Sequence, residues 1–252
     1  MQAQERQQLI LQQLNERGQI AISELSARLS VSEMTIRRDL AQLEADGLLR
    51  RTHGGAVRTH SSSFEPPFAM RARLNTEAKR AIAASVAQQL TDGQTLILDG
   101  GSTGTAIAEA IAGRNLTVCA LNMRVADVLV ASPATRVMVP GGFVRHGELS
   151  FSGPAAERTL QDHRFDTYVM TVSAVDVKAG FTEWNVDDAA VKRSALAASA
   201  RCIVACDSSK FGQTAFARIA GLDAADLIVT DTDIDAVHRR EVSVIGATLH
   251  VV

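Results

Sequence analysis

Apolar residues recur at helical spacing near the start of the chain, first at Leu9, Ile10 and Leu14 and then, beyond Gly18, at Leu25 and Leu29. This spacing predicts two helices, with Ser23 placed to cap the second at Glu24. A third helix is expected from a Ser32 cap, carrying Ile36, Leu40 and Leu43 on one face and ending near Gly47. The intervening Ser30-Val31-Ser32 has the length of a helix-turn-helix turn. After Gly47, the stretch Leu48 to Val57 reads as two short strands around Gly54-Gly55, the form of a wing. The first block then closes near Arg58.

A different pattern follows. Residues 59–68 are rich in Ser and Pro and cannot continue a helix, so a linker is expected over 59–74 before a helix from about Asn75 to Leu90. Apolar runs then predict strands at Thr95–Leu98, Leu116–Ala120, Arg136–Val139, Thr167–Val172, Arg201–Cys206, Leu227–Thr230 and Ala247–Val251. Alanine-rich helical segments alternate with them at Thr105–Ile111, Val125–Ala131, Pro154–Leu160 and Val186–Ala200. Strands apolar on both faces, alternating with helices, point to an α/β domain with a largely parallel sheet. The expected organisation is a winged helix-turn-helix over 1–58, a linker over 59–74 and a larger α/β domain over 75–252.

Composition narrows the class. Apolar residues make up 46% of the 252 and charged residues 21%, which excludes a disordered chain. No apolar run approaches the length of a membrane span, and the N-terminus lacks the pattern of a signal peptide, so a cytoplasmic location is expected. Cys119, Cys202 and Cys206 lie in apolar strand-like runs and read as buried core thiols. Residues 1–58 hold eight Arg against seven Asp and Glu. That block is nearly neutral, so an argument for DNA must rest on where the arginines sit rather than on net charge.

Helical phase supplies that argument. With Ile36, Leu40 and Leu43 facing a core, Met34, Thr35, Arg37, Arg38 and Gln42 fall on the outer faces of the third helix. An Arg pair alone is ordinarily just a solvated helix face. Here two helices, a three-residue turn and an Arg-bearing wing accompany it. Arg pairs bidentately with guanine in a major groove, and wing arginines position the protein on the phosphate backbone. The expected DNA-facing set is Ser32, Met34, Thr35, Arg37, Arg38 and Gln42 from the helix, with Arg50, Arg51, His53 and Arg58 from the wing.

In the second block, Thr95–Leu98 runs into Asp99-Gly100-Gly101-Ser102-Thr103-Gly104 and then a helix, an arrangement that can hold an anion on backbone N–H groups. A plain tight turn is the bland alternative. The Gly-Lys-Ser/Thr ending of a nucleotide P-loop is missing. Asp207 and Lys210 follow a predicted strand, and Lys192 lies on the helix before it. These would join Asp99 at the carboxyl edge of the sheet, where ligands of open α/β sheets bind.

The run Val31-Ser32-Glu33-Met34-Thr35-Ile36-Arg37-Arg38-Asp39-Leu40, followed by Leu43-Glu44, Gly47, Arg51 and His53-Gly54-Gly55-Ala56, resembles the signature of the DeoR family of sugar-metabolism repressors. The resemblance extends along almost the entire chain, through Asp99-Gly-Gly-Ser-Thr, Asn122, Gly141-Gly142, Ser152-Gly153, Asp176, Gly180, Lys192 and Asp207-Ser-Ser-Lys210-Phe211-Gly212. It implies a sensor domain similar in fold to ribose-5-phosphate isomerase, bound by a phosphorylated sugar as inducer. Gly101, Ser102 and Thr103 would hold the phosphate, and Asp99, Lys192, Asp207 and Lys210 would line the sugar end, with Asn122, Gly142 and Asp176 in the same set. Double-stranded operator DNA, a sugar phosphate and a second copy of the chain, as a homodimer or homotetramer, are the implied partners. Neither cofactor nor metal is expected.

Two other classes compete with a repressor: a sugar isomerase with a DNA-binding arm, and an α/β scaffold whose N-terminal helices bind protein. An aldose-ketose isomerase needs a carboxylate base. The isomerases carry a glutamate fifteen residues before the Asp-x-Ser-Lys motif, where this chain has Lys192, and an ammonium cannot take that proton at neutral pH. A protein-binding helix pair, for its part, has no need of an Arg-bearing wing.

Overall fold

The computed structural model describes residues 2–45, 47–58 and 64–252, which form two compact units meeting in sequence at Pro67 and Phe68. In the first unit the order is α1 (Ala3–Arg17), β1 (Gln19–Ala21), α2 (Ile22–Leu29), α3 (Glu33–Ala45), β2 (Leu49–Thr52) and β3 (Gly55–Arg58). Ile10, Leu14, Ile20, Ile22, Leu25, Ile36, Leu40, Leu43 and Leu49 are all buried, so the periodic positions of three helices converge on one core. The wing is a three-stranded antiparallel sheet in the order β1-β3-β2. Its third strand, β1, was not anticipated, because three residues between two helices carry no detectable alternation. The expected cap at Ser23 is also corrected: α2 starts at Ile22 behind Ala21 without a side-chain cap, and Ser23 lies within the helix.

The second unit begins with α4 (Phe68–Arg71) and α5 (Thr76–Gln88). It continues through β4 (Thr95–Leu98), α6 (Gly101–Ile111), β5 (Thr117–Ala120), α7 (Met123–Val130), β6 (Arg136–Met138), β7 (Phe143–Val144), β8 (Phe151–Ser152), α8 (Pro154–Gln161) and β9 (Phe165–Met170). The remainder is β10 (Ala174–Asp176), β11 (Gly180–Glu183), α9 (Val186–Ala197), β12 (Ser199–Ala205), β13 (Ala217–Ala220), β14 (Leu227–Thr230), α10 (Ala236–Ile245) and β15 (Leu249–Val251). A seven-stranded, wholly parallel sheet runs in the order β15-β14-β12-β9-β4-β5-β6. Successive strand residues point to opposite faces. Leu96 and Leu98 therefore pack with Ile82, Val86, Ile107 and Leu129 of α5, α6 and α7, while Ile97 packs on the other face with Tyr168, Leu160 and Ala195.

The linker expected over 59–74 is divided. Residues 59–63 lie outside the described residues, 64–67 have no regular structure, and 68–74 belong to the second unit. The buried Lys79 ammonium donates to the carbonyls of Arg71 and Leu74, both at 2.5 Å, and so ties that segment to α5. Two further elements went unanticipated: the antiparallel sheet β10-β11-β13, whose strands are short and interrupted by turns, and α10, where Val237 and Val244 face outward and blur the periodicity.

Candidate functional site

Ser32 begins α3 as expected: its hydroxyl accepts from the Thr35 N–H at 3.2 Å and lies 2.9 Å from the Thr35 hydroxyl. The turn before it is pinned by the Ser26 hydroxyl, which donates to the Val31 carbonyl at 2.6 Å. Burial of Ile36, Leu40 and Leu43 turns the opposite face outward, leaving Met34, Arg37, Arg38 and Gln42 exposed and Thr35 half-buried. Met34 is 67% exposed, a large apolar side chain held in solvent at the start of the helix. Arg37 pairs with Glu33 one turn earlier at 3.3 Å. Arg38 meets no acidic partner among the described residues.

On the wing, Arg50, Arg51 and His53 are exposed. Arg51 is also bound to α3, since its Nε and backbone N–H donate to the Glu44 carboxylate at 2.5 and 2.8 Å. These two bonds hold the Glu44 carboxyl below its usual range and fix the wing against the helix. The Arg58 side chain lies outside the described residues.

Pattern reading missed the most deeply placed charges of this unit. Arg6 of α1 and Asp39 of α3 form a buried two-bond ion pair at 2.5 and 3.0 Å. Asp39 lies on the core side of the helix, where an unpaired carboxylate would be costly. Its place three residues from Ile36 was the one available signal.

In the second unit, Asp99, Thr171 and Asp207 follow the carboxyl ends of β4, β9 and β12, so the parallel sheet gathers them along one edge. The helix expected from Thr105 begins at Gly101, which makes Gly101, Ser102 and Thr103 the first turn of α6. Amides of a first turn have no helical carbonyl to bond. Gly101 has φ +71°, a conformation that disfavours any Cβ. The point a Cβ would occupy there is 3.6 Å from an Arg71 guanidinium nitrogen, 3.9 Å from the Thr171 hydroxyl and 4.0 Å from a Glu148 carboxylate oxygen.

Asp99 is clamped rather than open. One carboxylate oxygen accepts from the Gly100 N–H at 2.7 Å, and the other from the Thr171 N–H and hydroxyl at 3.1 and 3.2 Å. The second oxygen also lies 3.0 Å from the Lys192 ammonium. Lys192 is buried and also donates to Glu183 at 2.5 Å and to the Thr171 carbonyl at 2.8 Å. The ammonium thus makes two hydrogen bonds and one further ion pair within the second unit. Burial lowers its pKa, but the Asp99 and Glu183 carboxylates outweigh that and raise it well above the ordinary lysine value. Burial likewise raises Glu183, and Lys192 with the Ser173 hydroxyl brings it below the usual carboxylate range.

Three more predicted residues have local duties. The Asp176 carboxylate accepts from the N–H groups of Lys178 and Ala179, both at 2.8 Å, closing the turn between β10 and β11. Gly142 lets its backbone approach β8, where a Cβ would lie 2.3 Å from the Ser152 carbonyl oxygen. Asn122 caps α7 by accepting from the Arg124 N–H at 2.8 Å and donates to the Glu148 carbonyl at 2.9 Å, so it positions the loop that carries Glu148.

Asp207 accepts from the Asn75 amide at 2.9 Å and from Ser209. Burial raises its carboxyl, but Lys210, Ser209, Lys79 and Asn75 together bring it below the usual range. Lys210 and Arg71 lie 5.2 and 5.4 Å from the centre of the Trp184 ring. Arg71 is ion-paired with Glu148, both largely buried. Arg71, Lys79, Glu148, Thr171 and Trp184 had no sequence signal, because no motif joins residues so far apart. The three cysteines are free and buried, and burial raises the Cys119 and Cys202 thiols to about 12, in keeping with core roles. Among the described residues no helix is long and apolar enough to cross a membrane.

A sequence profile described as the DeoR-like helix-turn-helix domain matches residues 6–62, and one described as the DeoR C terminal sensor domain matches residues 74–232. The chain belongs to the DeoR family. Its DeoR relatives include the HTH-type transcriptional regulator YulB of Bacillus subtilis, 36% identical over 92% of this chain and 90% of that protein. The transcriptional repressor AccR of Agrobacterium fabrum is 34% identical over 91% and 90%. The glycerol-3-phosphate regulon repressor of Escherichia coli K12 is 32% identical over 88% of each. Relatives of this kind bear out the reading of a DNA-binding DeoR regulator rather than an enzyme. A solved ribose 5-phosphate isomerase from Methanocaldococcus jannaschii aligns at 11% identity and a TM-score of 0.41 over 54% of this chain and 55% of that one.

Proposed function

We propose that this DeoR regulator represses a carbohydrate-metabolism operon and leaves its operator when a phosphorylated sugar binds the second unit. The observation that carries the reading is the first turn of α6, whose amides have no helical carbonyl to bond and whose Gly101 lies beside the Arg71 guanidinium. The phosphate sits on Gly101, Ser102 and Thr103, and Lys210 and Asp207 contact the sugar. Asp99 and Lys192 act from behind, as a rigid floor. A relative named for the glycerol-3-phosphate regulon supports a small phosphorylated polyol or sugar as effector class.

On the DNA side, Ser32, Met34, Thr35, Arg37, Arg38 and Gln42 face the major groove, and Arg50, Arg51 and His53 address the flanking backbone. Homodimers or homotetramers present two such helices to paired half-sites, and the effector favours a state in which the helices are mis-spaced.

A thermal-shift screen tests this, using glycerol 3-phosphate, glucose 6-phosphate, fructose 6-phosphate and their unphosphorylated parents. A phosphorylated compound at 100 times its dissociation constant should add ~2.7 kcal/mol of stability, and its parent almost none. Equal shifts from the parents would remove the phosphate from the reading.

A further inference from the structure

The first two turns of α3 present Glu33, Met34, Arg37 and Arg38 to solvent. These form two stripes, because residues four apart on a helix are neighbours on its surface. In one stripe Glu33 and Arg37 pair with each other at 3.3 Å. In the other, Arg38 meets no acidic partner among the described residues, and Met34, one turn before it, is 67% exposed. One stripe is therefore neutral and closed on itself, and the other carries a guanidinium behind an apolar tip.

The chemistry of base edges gives that second stripe a meaning. In the major groove every base pair displays hydrogen-bonding atoms, but thymine alone adds a methyl group. A thioether side chain donates no hydrogen bond and accepts only weakly, so the polar atoms and the phosphates offer Met34 little. Laid against the C5-methyl of thymine, it removes apolar surface of both groups from water. Arg38 suits guanine, whose O6 and N7 match the guanidinium fork. Four residues of helix advance about 6 Å, roughly the rise of two base pairs. A helix that enters the groove by its N-terminal end thus sets the two contacts close together along the duplex.

We propose that Met34 is a specificity-determining residue that reads the methyl group of a thymine, no more than about two base pairs from a guanine held by Arg38. This rests on the DNA-facing role given to α3 above and assigns to one side chain the base feature it recognises. The contact is apolar, so it adds to sequence choice and little to the dependence of affinity on salt.

The test uses the full chain and, as probe, a duplex that the chain itself selects from a random-sequence pool. Each thymine of that duplex is exchanged in turn for deoxyuridine, which lacks only the C5-methyl. One exchange in each half-site should weaken binding by the unmodified chain about threefold to fivefold. Met34→Ala should bind the thymine duplex more weakly by a similar factor and lose its response to that exchange, whereas Met34→Leu, still apolar, should keep part of it. Met34 lies largely in solvent, so its truncation puts no core packing at risk. The responsive thymine should lie within about two base pairs of a guanine whose replacement by 7-deazaguanine weakens the unmodified chain but not Arg38→Ala.

A deoxyuridine response that persists at full size in Met34→Ala would assign the methyl to another side chain and overturn the proposal. The absence of any responsive thymine would overturn it as well. Either result leaves DNA recognition by the first unit standing. A responsive thymine with no Arg38-dependent guanine nearby would overturn the pairing of the two contacts. If the full chain enriches no sequence from the pool, the DNA-facing reading itself falls, and the thymine contact with it.

Discussion

Arg37 on α3 pairs with Glu33 four residues away, and both side chains stay about half exposed. Arg71 in the second unit pairs with Glu148, 77 residues away, and both are largely enclosed. The same residue types thus do different work. On α3 the local pair holds Arg37 loosely at the surface, where a large partner can take it over. In the second unit, distant segments bring charges together away from water, where each group depends on the others being present. Under the function proposed above, one arrangement suits a surface that reads DNA, the other a site that answers a small anion.

The contrast can be broken most severely at Lys192. Lys192→Met leaves Asp99 and Glu183 enclosed without their cation and should cost about 3–5 kcal/mol in chemical unfolding. A loss below about 1 kcal/mol would show that the cluster behaves like a surface pair. The pH dependence has a definite sign. Because the folded pKa of Lys192 is raised, its contribution is complete below the ordinary lysine value and is lost as pH rises through the folded one.

Arg38→Ala should lower specific operator affinity by about 1–3 kcal/mol, relax sequence preference and leave unfolding unchanged. Unaltered preference in a binding assay with a permuted operator would move recognition elsewhere on α3. A smaller effect is expected from Lys79. Burial, helped by Lys210 and Arg71 and opposed by Asp207, lowers its ammonium to about 8. A phosphate favours the protonated form, so anion affinity should fall a few-fold as pH rises through that value, and in Lys79→Met the inflection near that pH should vanish. Least of all, Arg37→Ala should change stability by less than about 0.5 kcal/mol, as befits an exposed pair one helical turn apart.

Legibility in the sequence follows the same division. Ile36, Leu40 and Leu43 disclosed the outward face of α3 because a helix writes its burial at fixed spacing, and Thr95–Leu98 disclosed a central strand because both its faces are apolar. Asp99 and Lys210 were placed on the right edge of the sheet by the rule for parallel strands. What stayed hidden depends on pairs that only the folded chain defines, such as Asn75 with Asp207 across 132 residues and Arg71 with Glu148. Lys192 shows the limit from another side. Its position beside the ligand-edge motifs was visible, but its carbonyl and carboxylate partners were not.

The bond between Arg6 and Asp39 has a practical corollary for anyone wishing to redirect DeoR regulators to new operators. Transplanting α3 alone would carry Asp39 into a host whose first helix need not offer a guanidinium at the matching place, and the grafted carboxylate would then be stranded in the core. The exchangeable specificity cassette therefore begins at the first helix, and residue 6 has to travel with residue 39.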